Sequence, residues 1–217
     1  MTNLKEKEKK VSQEVYEMIT RLDRERIETH LVVQCAPMIS GIKISNLFNV
    51  EKRLAAQLKQ VLERSGISYY LLLESEDKVT FLVYREDELK AYLMQDCVCQ
   101  SMKNFGYESL DLTEVLKRFQ KRYTECMEQK AEFPHEMGLL LGYPVEDVEG
   151  FVVNRGQNYL YCGYWKVYGH VEEKKALFEK YEEARKTLVQ FLAKGMNVCE
   201  MASMSWKNER LQAVCTA

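Results

Sequence analysis

The stretch ISYYLLLESEDKVTFLVYR (67–85) decides the predicted fold. It contains two runs rich in β-branched and aromatic residues, 67–74 and 78–85, and the polar SED (75–77) between them predicts a β-hairpin. Both runs are almost continuously apolar, which is typical of strands that are covered on both faces. The hairpin is therefore expected at the centre of a sheet.

Two other stretches are predicted to add strands to this sheet. ETHLVVQC (28–35) is rich in β-branched residues and is followed by Pro37, which lacks a backbone donor. The stretch that follows, MISGIKISNLFN (38–49), is interpreted as a loop. The second predicted strand is NYLYCGYWKVYG (158–169), in which two sets of side chains alternate, as they do in a long strand. We therefore expect a mixed or antiparallel central sheet of about four to five strands.

Helices that cover the sheet are predicted from apolar spacing and position at 51–64, 86–104, 111–130 and 171–194. Gly66 and Gly195 supply the residue type that commonly ends a helix. The predicted fold class is α+β, with a single domain over residues 28–200. An N-terminal helix or arm (1–27) precedes this domain, and a C-terminal tail (201–217) follows it.

Charge and hydropathy argue against nucleic acid and membranes as partners. The formal net charge is -2, so the chain has no global excess of positive charge to neutralise phosphates. No segment approaches the run of about 18 apolar residues that crosses a bilayer. The seven cysteines lack the dense spacing of a secreted disulfide framework. The expected location is the cytoplasm.

Several common chemistries lack their motifs in this sequence. The glycines form neither G-x-G nor G-x-x-x-x-G-K, which excludes the usual phosphate-binding loops. No serine lies in G-x-S-x-G, the motif of the nucleophile elbow. His135-Glu136 would begin a zinc motif only with a second histidine at 139, where the chain has Leu139. No metal site is predicted.

The prolines mark the candidate site. Pro37, Pro134 and Pro144 are the only three prolines, and they lie in a first motif, QCAPMISGIK (34–43), and a second motif, FPHEMGLLLGYP (133–144). Because proline fixes the backbone, rigid local structure is concentrated in these two motifs. We therefore expect a functional site there.

The second motif also has a purely structural interpretation. Pro134 suits the first turn of a short helix, Glu136 would lie near the positive end of that helix, and Gly142 can end it. In that case His135 and Glu136 only cap and anchor the helix. The sequence leaves both interpretations open.

The segments QCAPMISGIKISNLF, FPHEMGLLLGYPVEDVEGFV and a third motif, GYWKVYG (163–169), occur in this order. Together they resemble an uncharacterised bacterial family known as domain of unknown function 3793. The resemblance covers roughly residues 28–200, and the long P-H-E-x-G-x-x-L-G-Y-P pattern makes it specific. It implies a shared fold and shared motifs, and it brings no activity, cofactor or catalytic residue.

The leading hypothesis is a protein that binds a small-molecule ligand or a cofactor of unknown identity. Small-molecule pockets combine aromatic walls with a few polar groups. The residues of the motifs that would form the pocket are the candidate catalytic residues Cys35, His135 and Glu136 and the candidate ligand-binding residues Lys43, Tyr143, Trp165, Lys166 and Tyr168. The pocket hypothesis predicts Cys35, His135 and Lys166 around one concavity.

Two alternatives come from other functional classes. A thiol-dependent enzyme would use Cys35 as the nucleophile and His135 as the base, because a thiol needs a nearby imidazole to form a thiolate at neutral pH. A structural or regulatory interaction module, which could be a homo-oligomer, would use the motifs for packing alone. Bulky strand residues such as Trp165 commonly pack against covering helices, which favours that second alternative.

Overall fold

The computed structural model describes residues 13–23 and 25–204. Within these ranges the helices are α1 (Gln13–Arg21), α2 (Ile27–Ile39), α3 (Ala55–Arg64), α4 (Glu86–Leu93), α5 (Asp96–Asn104), α6 (Leu112–Met127), α7 (Met137–Leu140), α8 (Val145–Val153), α9 (Val171–Ala193) and α10 (Val198–Ser203). The strands are β1 (Ser45–Glu51), β2 (Ser68–Glu74), β3 (Lys78–Tyr84), β4 (Tyr161–Cys162) and β5 (Lys166–Val167). The parts of the predicted arm and tail at 1–12 and 205–217 lie outside the described residues.

The predicted hairpin is confirmed. β2 and β3 pair antiparallel, and Ser75 closes the turn because its backbone N–H donates to Lys78 O at 2.8 Å. β1 pairs antiparallel with the other side of β3, so the strand order is β1-β3-β2. The sheet is therefore antiparallel, with β3 at its centre.

The central sheet is smaller than predicted, because it has three strands and not four or five. The predicted strand 28–35 is wrong, since these residues belong to helix α2. The predicted loop 38–49 is also wrong in its second half, where β1 begins at Ser45. The helix α2 is buried on almost every side and packs against α9 and β1. Such a helix lacks a polar face, so its sequence shows no helical periodicity and resembles a strand.

The long strand predicted at 158–169 is a short hairpin instead, and β4 and β5 form a separate two-stranded sheet. The chain reverses between them, where Gly163 N donates to Trp165 O at 3.0 Å. A Cβ atom on Gly163 would lie only 2.2 Å from the Phe178 ring of α9. Glycine therefore permits this close contact between the hairpin and the helix.

The predicted helices are confirmed in their main parts. Asp111 caps α6 by accepting hydrogen bonds from the backbone N–H groups of Thr113 and Glu114. The stretch predicted as one helix at 86–104 forms two helices, α4 and α5, because the chain leaves helical geometry at Met94-Gln95. None of the described helices is both long enough and apolar enough to cross a membrane.

Both faces of the sheet are covered, as the apolar strands predict. The side chains of Val79, Phe81 and Val83 of β3 belong to a hydrophobic cluster that includes α2. Leu82 and Tyr84 of the same strand belong to a cluster on the opposite face that includes α6. A third, smaller cluster joins the β4–β5 hairpin to α9, and it includes Trp165, Val167, Leu177, Phe178 and Tyr181.

Candidate functional site

The second motif folds into the short helix α7 and the turn that follows it. Gly142, at φ +70°, ends the helix as predicted, and its N–H donates to Leu139 O at 2.8 Å. A Cβ atom on Gly142 would lie 2.7 Å from Ile44, and one on Gly138 would lie 2.7 Å from Val148. The two glycines of the motif are therefore required for close packing.

Glu136 anchors this motif to helix α6. Its side chain has no solvent exposure, and the Nε atom of Arg122 lies 2.5 Å from its Oε1 atom. The hydroxyl of Tyr107 donates a hydrogen bond of 3.1 Å to the same oxygen. A buried carboxylate with these two partners supports the structural interpretation of Glu136.

Residues from all three motifs join in what we call the inner network, which consists of Cys35, Lys43, Asn46, Tyr143, Asp147 and Trp165. The Lys43 ammonium donates to Asn46 Oδ1 at 2.9 Å and lies 5.4 Å from the ring centre of Tyr143. Tyr143 stacks on Trp165 with ring centres 4.6 Å apart. Burial raises the pKa of Tyr143 to about 12, so its phenol stays neutral.

Asp147 connects the third motif to helix α8. Its side chain is nearly buried, at 2% exposure, and it accepts hydrogen bonds of 2.7 Å from Trp165 Nε1 and from the backbone N–H of Tyr168. Burial raises the pKa of Asp147, and the two hydrogen bonds oppose that rise. Asp147 was not predicted from the sequence, because nothing there distinguishes it from the other acidic residues of the same helix, Glu146 and Glu149.

Cys35 belongs to the inner network through Asn46, whose Nδ2 atom lies 3.4 Å from the Cys35 sulfur. The thiol is fully buried, and burial raises the pKa of Cys35 to about 12. A thiol with that pKa stays protonated at neutral pH and is a poor nucleophile. Its surroundings are the apolar residues of α2 and the sheet, which argues against the thiol mechanism with His135.

Lys166 lies outside this network, although it follows Trp165 directly in the chain. Its ammonium lies 4.9 Å from the ring centre of Tyr159 and 5.6 Å from that of Phe151. It donates to Gly156 O at 2.6 Å, and no carboxylate among the residues that the structure describes forms an ion pair with it. The positive charge is thus held between aromatic rings and is not neutralised by a neighbouring acid.

His135 lies on the other side of Phe151. Its imidazole is half-buried and contacts the rings of Phe133 and Phe151, with ring centres 5.4 and 5.5 Å away. The imidazole forms no hydrogen bond with the side chain of another residue that the structure describes. We call the surface formed by these groups the outer face, and it consists of Phe133, His135, Phe151, Tyr159 and Lys166.

The outer face is open to solvent and largely apolar. Phe133 is 42% exposed and Tyr159 is 44% exposed. Tyr159 follows a turn in which Arg155 and Asn158 have positive φ values of 50° and 56°, a costly conformation for residues other than glycine. The hydrogen bond from the Lys166 ammonium to Gly156 O ends at a residue of the same turn. The hydrogen bond to this turn therefore fixes the Lys166 ammonium beside the aromatic rings of the outer face.

Six of the eight predicted site residues therefore fall into two groups. Lys43, Tyr143 and Trp165 meet in the inner network, whereas His135 and Lys166 meet through Phe151 on the outer face. The contacts of Cys35 join it to the first group and not to the second. Sequence analysis missed Phe133, Phe151 and Tyr159, although Phe133 lies within the second motif. Phe151 could not be predicted as a site residue, because its contacts depend on the orientation of α8, and no local sequence pattern indicates that orientation.

Within the described ranges, no group of three or more His, Cys, Asp and Glu side chains could hold a metal ion. The sequence model of one family, Protein of unknown function (DUF3793), matches residues 31–202 of the chain. No curated protein and no solved structure matches it significantly.

Proposed function

The chain belongs to the family Protein of unknown function (DUF3793), and because that description gives no activity, we propose from geometry that it binds a small ligand at the outer face. The proposed ligand is a small anion with a flat apolar body, such as an aryl carboxylate. The proposed location is the cytoplasm, on the sequence evidence.

The position of Lys166 carries this proposal. A cation between two aromatic rings, without an acid to neutralise it, can attract an anion while the rings contact the apolar part of the same ligand. One of the three ammonium donors is directed to Gly156 O, which leaves donors for a ligand oxygen. His135 would form the wall on the far side of Phe151.

Binding is favoured over thiol catalysis by the contrast between Lys166 and Cys35. Lys166 is partly exposed, whereas the Cys35 thiol is fully buried and its pKa is raised to about 12. A substrate would have to enter the hydrophobic core to reach that thiol.

An interaction module is the second candidate function. The observation that favours it is the exposure of two apolar side chains close in sequence to the outer face, Val153 at 81% and Leu160 at 66%. Exposed apolar patches commonly mark protein interfaces. Sedimentation velocity at several concentrations tests this alternative, because a homo-oligomer built on these residues would dissociate in a Leu160→Asp variant.

The proposed function is tested with benzoate as the probe, followed by NMR titration of the backbone amides. Replacing Lys166 by methionine removes the charge and keeps an apolar side chain of similar length. We expect Lys166→Met to weaken benzoate binding at least about tenfold, since it removes the charge-assisted hydrogen bonds.

The matched control is Lys117→Met, which removes an exposed lysine from α6 and should leave benzoate binding unchanged. Thermal melts verify that both variants are folded. Benzoate affinity that is equal in the wild type and in Lys166→Met would contradict the proposal.

A further inference from the structure

Tyr168 has a buried hydroxyl group without a hydrogen-bond partner. Four buried side-chain atoms in the described part of the chain lack one, namely Ser101 Oγ, Arg122 Nε, Tyr168 Oη and Arg185 Nε. Arg122 is ion-paired with Glu136, and Arg185 donates from Nη1 to Glu182 and from Nη2 to the Tyr164 hydroxyl. Tyr168 has no such compensation and lies in the third motif, two residues after Lys166.

The Tyr168 side chain is fixed in position. Its backbone N–H donates to Asp147, and a Cβ atom on Gly150 would lie 2.6 Å from the Tyr168 ring, so the ring packs directly on the backbone of α8. A ring held in this way cannot turn easily to find another partner for its hydroxyl. An unsatisfied buried hydroxyl is unfavourable, and such groups in native proteins call for an explanation.

The side chain of Tyr168 lies next to the outer face. Tyr168 follows β5 (Lys166–Val167) directly, and its ring lies against Gly150, the residue before Phe151 of the outer face. Burial raises the pKa of Tyr168 first, and the neighbouring Asp147 and Tyr159 raise it further. Tyr159, whose ring contacts the Lys166 ammonium, is thus one of the groups that act on the phenol of Tyr168.

We infer that Tyr168 is a specificity-determining residue whose hydroxyl donates to a second oxygen of the ligand, while the anionic group of that ligand binds Lys166. This inference rests on the proposed function. It narrows the ligand to an aryl carboxylate that carries a further hydrogen-bond acceptor, such as a ketone oxygen. The exposed ring of Tyr159 is the group that moves to admit this part of the ligand.

The first test measures thermal stability and needs no ligand. Tyr168→Phe removes only the unpaired hydroxyl, so we expect the Tm of the ligand-free protein to rise by about 2–4 °C. Tyr92→Phe is the matched control, because the buried hydroxyl of Tyr92 donates to Tyr143 O at 2.9 Å. Its Tm should fall by a similar amount. A Tm of Tyr168→Phe that falls like that of Tyr92→Phe would overturn the inference.

The second test compares benzoate with its 2-, 3- and 4-acetyl derivatives, which place a ketone oxygen at three distances from the carboxylate. We expect one isomer to bind the wild type about tenfold more tightly than benzoate, and Tyr168→Phe to remove that advantage. An advantage that persists in Tyr168→Phe, or no advantage for any isomer, would overturn the inference.

The two proposals fail in different ways. If benzoate itself binds independently of Lys166, the proposed function fails. If benzoate depends on Lys166 but the acetyl group adds nothing through Tyr168, the proposed function stands and only the role of Tyr168 is rejected.

Discussion

The buried contacts of the motifs and the outer face contain neighbouring residues in opposite environments. Glu136 is buried and ion-paired, whereas His135 next to it is half-exposed among aromatic rings. Trp165 is buried and donates to Asp147, whereas the ammonium of Lys166 has no acid partner in the described ranges. Each of these two motifs therefore supplies a buried residue that stabilises the fold and a neighbouring residue that lies on the outer face.

The difference predicts where a substitution acts. Removing one partner of a buried polar contact leaves the other unsatisfied and lowers stability. Removing an exposed group that no protein atom requires leaves stability almost unchanged and affects binding. Substitutions in the inner network should therefore change the free energy of unfolding, and those on the outer face should change affinity.

The largest effect is expected at Asp147. Asp147→Ala removes the acceptor of two buried hydrogen bonds, from Trp165 Nε1 and from Tyr168 N. At about 1–3 kcal/mol for each unsatisfied donor, we expect the free energy of unfolding to fall by about 3 kcal/mol. Urea denaturation of the wild type and of Asp147→Ala measures this difference in the free energy of unfolding.

The control for this variant is Glu149→Ala, which replaces an exposed acidic residue of the same helix. Its effect should stay within about 0.5 kcal/mol. Equal stability of the two variants would show that the inner network contributes little to folding.

An intermediate effect is expected at Cys35, as a dependence on pH. The native pKa is raised from 9.0 to about 12, so above the lower value the unfolded chain releases the thiol proton while the folded chain keeps it. The stabilising contribution of the protonated thiol is therefore complete below the unfolded pKa and falls as pH rises. Between about pH 8 and about pH 10 this loss is about 1.4 kcal/mol.

The measurement is urea denaturation of the wild type and of Cys35→Ala at both pH values. The stability difference between them should shift by that amount in favour of the variant at the higher pH. Cys162→Ala, at an exposed thiol, is the control and should show no such shift. A difference for Cys35→Ala that is independent of pH would mean that the native thiol ionises normally, which would reopen the thiol mechanism.

Sequence patterns predicted the parts of the fold that are marked by a clear turn or by one apolar stripe. The two apolar runs of β2 and β3 with the polar turn between them, and the apolar stripes of α6 and α9, were sufficient. Helix α2 was missed because Leu31, Val32 and Cys35 are all buried, so no polar face marks its period. The hairpin of β4 and β5 was missed because its two side-chain sets mimic a long strand.

The sequence grouped the candidate site residues in one pocket, whereas their contacts divide them between two regions. Lys43 and Trp165 both contact Tyr143 in the inner network, and His135 and Lys166 lie on the outer face. Whether Trp165 or Lys166 faces solvent depends on where α8 packs, and Asp147 and Phe151 of that helix provide the contacts. Tertiary packing of this kind leaves no periodic signal in the sequence.

The smallest effect on stability is expected at His135. Its ring contacts Phe133 and Phe151, and it has no hydrogen bond to a described side chain that glutamine would lose. We expect His135→Gln to lower the free energy of unfolding by only about 0.5 kcal/mol, the low end for aromatic pairs. If the outer face binds the ligand, benzoate affinity should nevertheless fall about threefold or more, because a ring of the site is lost.

Glu136→Gln is the control, at the adjacent buried residue, which anchors the second motif to α6. It should lower stability by about 2 kcal/mol, since a charge-assisted contact to Arg122 is lost, and it should leave benzoate affinity unchanged. Thermal melts and benzoate titrations of the two variants side by side therefore separate the two regions. If His135→Gln loses stability as Glu136→Gln does and binds benzoate normally, His135 belongs to the anchor of α7 and has no part in the outer face.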